Sequence, residues 1–459
     1  MYGIIVLSIY ALIMIGATIL FSRKKKGNFH VADRNIGTVI SALSVAATWI
    51  WAPALFTSAE KAYSSGIVGL LWFLVPNVLC LFIFIPFAKK IRKQMPEGIT
   101  LSGYMGETYQ SNKVRGIYQF QLGALSVLST AVQLLAGSKI LNMITGIPFW
   151  VLTIILAVVA FSYSQISGIK ASVITDNIQI IFILGACALL LPMTISRAGN
   201  INTLFSGLSG ISGEYGNLFN GKGLEVALSF GLPTAIGLIS GPFGDQSFWQ
   251  RAFSIKEKSI GKAFVLGGFI FALVPIMLGA IGFTAAGSGF VANDAGMVNF
   301  EFIKSLLPSW VLIPFLFMIL SGLLSTVDSN LCSTASLTSD FRPKNDIKVS
   351  KISMIVLLLI AIGIANIPGL TVTHLFLFYG TLRASTLLPT VITLKGKKLS
   401  SQGVFWGVIA ALAVGLPIFA YGNIANIALV KTIGSLTTVL MSGIVAVIVT
   451  KVKGAKAPC

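Results

Sequence analysis

Residues 38–63 read TVISALSVAATWIWAPALFTSAEKAY. The stretch is apolar enough for a bilayer, yet Pro53 sits inside it. Proline removes a backbone donor and disfavours helix in the residue before it. A simple kink is one outcome. The other is a break near Ala47–Ala52, which frees carbonyls at mid-membrane, where they are tolerated only inside protein or a watery cavity. Residues 223–253, GLEVALSFGLPTAIGLISGPFGDQSFWQRAF, carry Gly231, Pro233, Gly237, Gly241, Pro242 and Gly244 and predict a second discontinuous helix. Counting apolar stretches from zero, the two are spans one and six. That spacing is expected if spans 1–5 and 6–10 form inverted repeats whose broken helices face each other near the midplane.

The rest of the chain fits an all-α integral membrane protein. Of 459 residues, 55% are hydrophobic and 10% charged, against about 25% charged in soluble domains. Thirteen spans are predicted, near 2–22, 37–63, 66–88, 116–144, 148–165, 171–195, 224–250, 263–286, 308–338, 350–367, 371–393, 402–421 and 430–450. The first is read as a retained helix and not a signal peptide, because no basic region or cleavage site accompanies it. The expected organisation is a leading span and inner loop (1–35), a first repeat (36–195), a second repeat (196–394), then two trailing spans with an inner tail (395–459).

The net charge of +19 is explained by topology. With the N-terminus outside and the C-terminus cytoplasmic, 26 of 33 Lys and Arg fall in inner loops, Arg251 among them, as the positive-inside rule requires. This arrangement fits an inner (plasma) membrane. The basic residues form no face on a soluble module, which excludes nucleic acid as a partner. Cys80, Cys187, Cys332 and Cys459 have no metal or redox spacing and are read as small hydrophobes. No P-loop, HExxH or Ser-His-Asp set occurs, and His30 and His374 are far apart, so the chain is not read as an enzyme.

Span eight, LIPFLFMILSGLLSTVDSNLCSTASLTSDF (312–341), holds Ser325 and Thr326 side by side with Gly322 one turn earlier. Two hydroxyls and an unshielded carbonyl on one face suit a hard cation such as sodium, which prefers oxygen ligands. The competing reading is back-bonding of the hydroxyls to carbonyls one turn earlier. Ionisable residues at depth are functional candidates. Asp176 can release a cation to the inside or orient the helix end. Arg383 can contact solute, pair with an acid, or snorkel to the basic inner flank, and snorkelling is the favoured expectation. Trp49, Trp51 and Trp72 can wall a small cavity.

In SALSVAATWIWAP (41–53), TDNIQ (175–179), GDQSFWQRA (244–252), LLSTVDSNL (323–331) and STASLTSD (333–340), the chain resembles the sodium/solute symporter family over nearly its whole length. The resemblance implies a LeuT-type five-plus-five inverted repeat with one leading and two trailing spans. It also implies a sodium site made by the carbonyls of Ala47, Ile50 and Gly322 with the hydroxyls of Ser325 and Thr326. Where the sodium/proline branch carries an acid, this chain has Trp49, which argues against proline. TWIWAPALFTSAEKAY, GLLWF and LFLFYGTLRASTLLPTVITL resemble the urea-transporting branch, although Arg383 departs from the apolar residue expected there.

The reading is therefore sodium-coupled symport of a small polar solute by alternating access, with urea as first candidate and other amides, nucleobases, amino acids or polyamines as alternatives. The solute is expected between the two breaks, against Trp49, Trp51, Trp72, Leu238, Pro242, Phe243 and Gln246. Sodium is expected to leave past Asp176. Proton coupling through Asp176 or Asp328 and a transporter-like solute sensor remain as rivals; no soluble output domain follows span twelve.

Overall fold

A computed structural model describes residues 2–22, 28–341, 346–397 and 399–453. Several basic residues counted in the inner loops (23–26, Arg342, Lys344, Lys398 and Lys456), together with Cys459, lie outside the described residues. Every regular element among the described residues is helical. Twelve helices are long and apolar enough to cross a membrane, and Thr38–Trp49 is a shorter apolar helix. The shortfall against thirteen has a local cause. Span one is interrupted, and its outer half runs into span two as one unit, Thr57–Gln94.

That unit bends at Ser65 (φ −126°) and Gly66 (φ 56°, ψ −154°). Glycine is required there, since left-handed backbone strains other residues and a Cβ would stand 2.6 Å from the Leu208 carbonyl oxygen. The corner returns the chain as span two, which packs along span seven (Ile260–Gly287).

Most spans expose large apolar side chains along one flank, as at Leu12 (71% exposed) and Ile181 (66%). Such flanks suit lipid. Span eight, Leu312–Leu337, differs: from Phe315 onward nearly every residue is buried. A helix enclosed on all sides belongs at the centre of a bundle. It packs on span five (Ile169–Ala198) and span three (Asn112–Thr145), with helix Thr38–Trp49 of span one against it. Cys80, Cys187 and Cys332 are buried free thiols, as expected.

Candidate functional site

The break in span one is an unwound segment and not a kink. Helix Thr38–Trp49 stops, Ile50 (φ −85°, ψ 93°) and Trp51 (φ −122°, ψ 179°) are extended, and Ala52–Leu55 restarts the chain. Pro53 falls in the first turn of the new helix, where its missing N–H has no partner to lose. Neighbours satisfy the exposed backbone. Ala52 N–H donates to Gln133 Oε1 at 2.8 Å, and Asn299 Nδ2 donates to the Leu55 carbonyl at 2.6 Å.

Span eight lies across this gap. A Cβ on Gly322 would meet the Ile50 carbonyl oxygen at 3.2 Å, so the two backbones face each other directly. Thr326 Oγ1 lies 3.4 Å from the Thr48 carbonyl and 3.2 Å from the Gly322 carbonyl. Ser325, on the same turn, donates to Asp176 Oδ1 at 2.6 Å. Ala47 O accepts the Ile50 N–H at 3.2 Å, shared with Ala46 O. Of the five expected ligand residues, Ile50 and Gly322 are in backbone contact and Thr326 joins span eight to Thr48 while back-bonding to Gly322; the Ser325 hydroxyl is engaged by Asp176 and the Ala47 carbonyl by its own helix end. Their donor set is oxygen only, which fits sodium.

Next to Ser325 sits a buried charge cluster. Asp176 Oδ2 accepts from Ser44 Oγ at 2.6 Å and from Arg251 Nη2 at 2.9 Å. Arg251 also donates from Nε to Ser44, from Nη1 to the Ser247 carbonyl, and from Nη2 to Ser329. Asp328 accepts from Ser172 Oγ at 2.7 Å and Thr175 Oγ1 at 3.1 Å, and makes no ion pair among the described residues. Both carboxylates are fully buried. Asp176 therefore links the Ser325 hydroxyl to an arginine rather than capping a helix end. Counting Arg251 with the loop basics is corrected: it is 2% exposed, on the second half of span six, Gln246–Ser254. A charge count along loops cannot detect that turn inward.

The break in span six runs from Ser240 to Gly244 between helices Leu232–Ile239 and Gln246–Ser254. Asp245 caps the second helix, with Oδ1 accepting from Ser247 N and Oγ at 2.9 and 2.6 Å. Its Oδ2 receives Arg383 Nη2 at 2.9 Å. The snorkelling expected of Arg383 is thereby overturned. The side chain is 1% exposed and pairs with an acid inside the bundle, because span ten crosses span six there closely enough that a Cβ on Gly244 would strike Arg383 backbone at 2.8 Å.

Aromatic rings enclose that guanidinium. Trp49 and Trp51 stack at 5.1 Å and 17°, and the Arg383 guanidinium lies 5.2, 4.9 and 4.9 Å from the rings of Trp49, Trp51 and Tyr379. Leu238 joins this group through Gly241, whose Cβ would lie 2.6 Å from Trp49 and 2.7 Å from the Leu238 carbonyl. Other residues expected around solute are elsewhere. Trp72 packs on Gly231. Pro242 is buried in the break itself. Phe243 packs on Phe84 and Phe87, and the Gln246 amide is used by Leu101, Ile99 and Ser336. Sequence reasoning missed Tyr379 and Asp245, although both stand in quoted motifs.

A cavity of about 430 Å³ opens beyond the cage, lined by Phe56, Glu60, Lys61, Lys139, Leu377 and Lys431 among others. Phe376, next to Leu377, makes an edge contact with Trp51 at 5.4 Å. An aromatic layer therefore separates the cavity from Arg383.

The sodium:solute symporter family model matches residues 29–411, most of the chain. The chain belongs to the sodium:solute symporter family. It is 22% identical to the urea-proton symporter of rice (Oryza sativa subsp. japonica) over 85% of this chain and 60% of that one. It is also 22% identical to the sodium/pantothenate symporter of Escherichia coli K12 over 91% and 90% of the two chains. The chain spans 60% or less of the urea-transporter relatives it matches. Among solved structures it is similar to a substrate-bound, outward-open Na+-coupled sialic acid symporter, with a TM-score of 0.76, 18% identity and 98% coverage of both chains. A closed nucleobase-cation-symport-1 transporter aligns with a TM-score of 0.63 and 14% identity over 94% of this chain and 96% of that one. With its twelve apolar helices, the chain is a multi-pass membrane protein of this family.

Proposed function

We propose that the protein couples inward sodium movement to uptake of a small polar solute, in a plasma membrane with the N-terminus outside. One observation supports this reading: the Ile50 carbonyl of the unwound segment lies against Gly322, and Thr326 Oγ1 lies 3.4 Å from the Thr48 carbonyl, so oxygens of two elements meet there. Sodium there ties span one to span eight and favours a solute-competent arrangement. Solute binds between the breaks against Trp49 and Trp51, the inner gate opens, and sodium leaves past Asp176. When bound, sodium supplies positive charge and the drive of the membrane potential, about 2.3 kcal/mol per charge per 100 mV.

Urea is the neutral candidate, carried by its transporters among the relatives and by the flat Trp faces. A second ion reading rests on Asp328, a buried carboxylate without an ion pair among the described residues. A proton taken up there would serve as coupling ion. The test is labelled urea uptake into proteoliposomes under matched sodium, potassium or proton gradients, with sodium-dependent thermal protection measured in parallel. Sodium-dependent uptake or protection that weakens in Ser325→Ala supports the site. Dependence on a proton gradient alone, lost in Asp328→Asn, replaces sodium by the proton reading.

A further inference from the structure

The Arg383 guanidinium is better supplied with donors than with acceptors. Asp245 engages Nη2, while Nε and Nη1, both buried, have no partner. Asp245 is not devoted to Arg383 either: its other oxygen accepts two hydrogen bonds at the start of helix Gln246–Ser254, where the helix dipole already favours negative charge. The pair is balanced in charge, but two guanidinium nitrogens are left without an acceptor. Trp51 Nε1 and the Tyr379 hydroxyl, on rings against the same guanidinium, are also buried and unpartnered. Four idle polar groups converge on one place.

The cavity outside this cage has a matching bias. Lys61 pairs with Glu60 and Lys139 with Asp294, whereas Lys431 has no ion pair among the described residues. Three lysines against two acids leave one positive charge on the path inward.

We infer that the solute is a small monocarboxylate whose carboxylate takes the free donors of Arg383 once the Trp51–Tyr379 edge contact, 5.2 Å between ring centroids, opens, with its organic part against the Trp51 face. Guanidinium matches a carboxylate in shape and charge and makes charge-assisted hydrogen bonds with it. A neutral amide offers one acceptor and adds donors, which this cage already has in excess. The carboxylate enters from the lysine-rich cavity when the Trp51–Phe376 layer parts. This assignment rests on the symporter reading and names its solute class.

The experiment compares carboxylates with their amides on the purified protein: acetate with acetamide, propionate with propionamide, benzoate with benzamide and nicotinate with nicotinamide, plus urea. Thermal protection is read in sodium and in potassium, followed by labelled uptake of the best ligand into proteoliposomes. At least one carboxylate is expected to protect the protein at concentrations where its amide and urea do not. The double variant Arg383→Gln/Asp245→Asn keeps the buried charge balanced. It should bind that carboxylate roughly tenfold more weakly or worse, the scale of losing a charged hydrogen-bond partner, while retaining sodium protection as proof of folding. Equal protection by amide or urea, no protection by any carboxylate, or unchanged binding in the double variant overturns the assignment. Carboxylate protection equal in sodium and potassium would leave this inference standing and remove sodium coupling instead.

Discussion

Two buried arginine–aspartate pairs hold the helix that follows the span-six break, one at its capping Asp245 and one at Arg251, and they are built differently. Around Arg251, all three guanidinium nitrogens have acceptors, supplied by Asp176, Ser44, Ser329 and the Ser247 carbonyl. Around Arg383, one nitrogen is bonded and aromatic faces cover the rest. Arg251 therefore reads as a fastener between spans one, five, six and eight. Arg383 reads as a receptor waiting for a partner. Burial alone does not separate the two; donor accounting does.

The largest effect should come from breaking the fastener. Arg251→Met leaves Asp176 and Asp328 buried together without a cation, and removing one partner of a buried pair costs about 3–5 kcal/mol. Arg383→Met should destabilise less, because Asp245 keeps its helix cap. Thermal unfolding of both variants in the same detergent checks the order, and equal losses would break the distinction.

Acid should loosen the fastener's surroundings before the receptor's. His30, in the loop before span one, is buried, its Nδ1 has no partner, and burial lowers its pKa to about 4. Its carbonyl accepts from Gln250, the neighbour of Arg251. The folded state prefers neutral imidazole, so its stabilising contribution is complete above the unfolded value near 6.5. It is lost as pH falls toward 4, amounting to about 2 kcal/mol at pH 5. His30→Gln should flatten thermal stability between pH 7 and 5. An unchanged pH slope would remove histidine from the explanation.

The proposed ion site adjoins Arg251 through Asp176. Ser325→Ala and Thr326→Ala should each raise the sodium concentration for half-maximal thermal protection by roughly tenfold, about 1.4 kcal/mol. Ser325→Ala should also disturb Asp176, which it bonds. Sodium titrations of both variants test this, and an unaltered response in both would dismiss the site. The smallest change is expected from Tyr379→Phe, which deletes one idle hydroxyl. Stability should shift by less than about 0.5 kcal/mol, as for substitutions away from satisfied networks, while carboxylate protection weakens if that hydroxyl meets solute.

Much of the architecture was legible in the sequence because broken helices announce themselves by Pro and Gly. Pro53 bounded the first gap to Ala47–Ala52, which contains the unwound Ile50–Trp51, and the Gly and Pro residues spread over 231–244 announced a second break without fixing it at Ser240–Gly244. Span eight's Gly322-Ser325-Thr326 spacing carried the ion-site expectation. What stayed hidden was pairing across distance. Asp245 and Arg383 are 138 residues apart, and Asp176 and Arg251 are 75 apart. Hydropathy gives depth in the membrane but not which neighbour a side chain meets. Trp72 and Gln246 were misplaced for that reason, one turned to a span-six glycine and the other anchored to the span two–three connection.

The unwound segment holds one further consequence. Ile50 offers its carbonyl toward span eight, while the residues on either side of it, Trp49 and Trp51, hold the guanidinium cage. On the proposed function, both ligands of the transport cycle would be read by three consecutive residues of one unwound joint. Binding linkage is reciprocal. Whatever factor the solute adds to sodium affinity through this joint, sodium must return to the solute. A substitution that relaxes the joint should therefore lower the mutual factor without abolishing either binding event, leaving a leaky symporter whose ion and solute travel out of step.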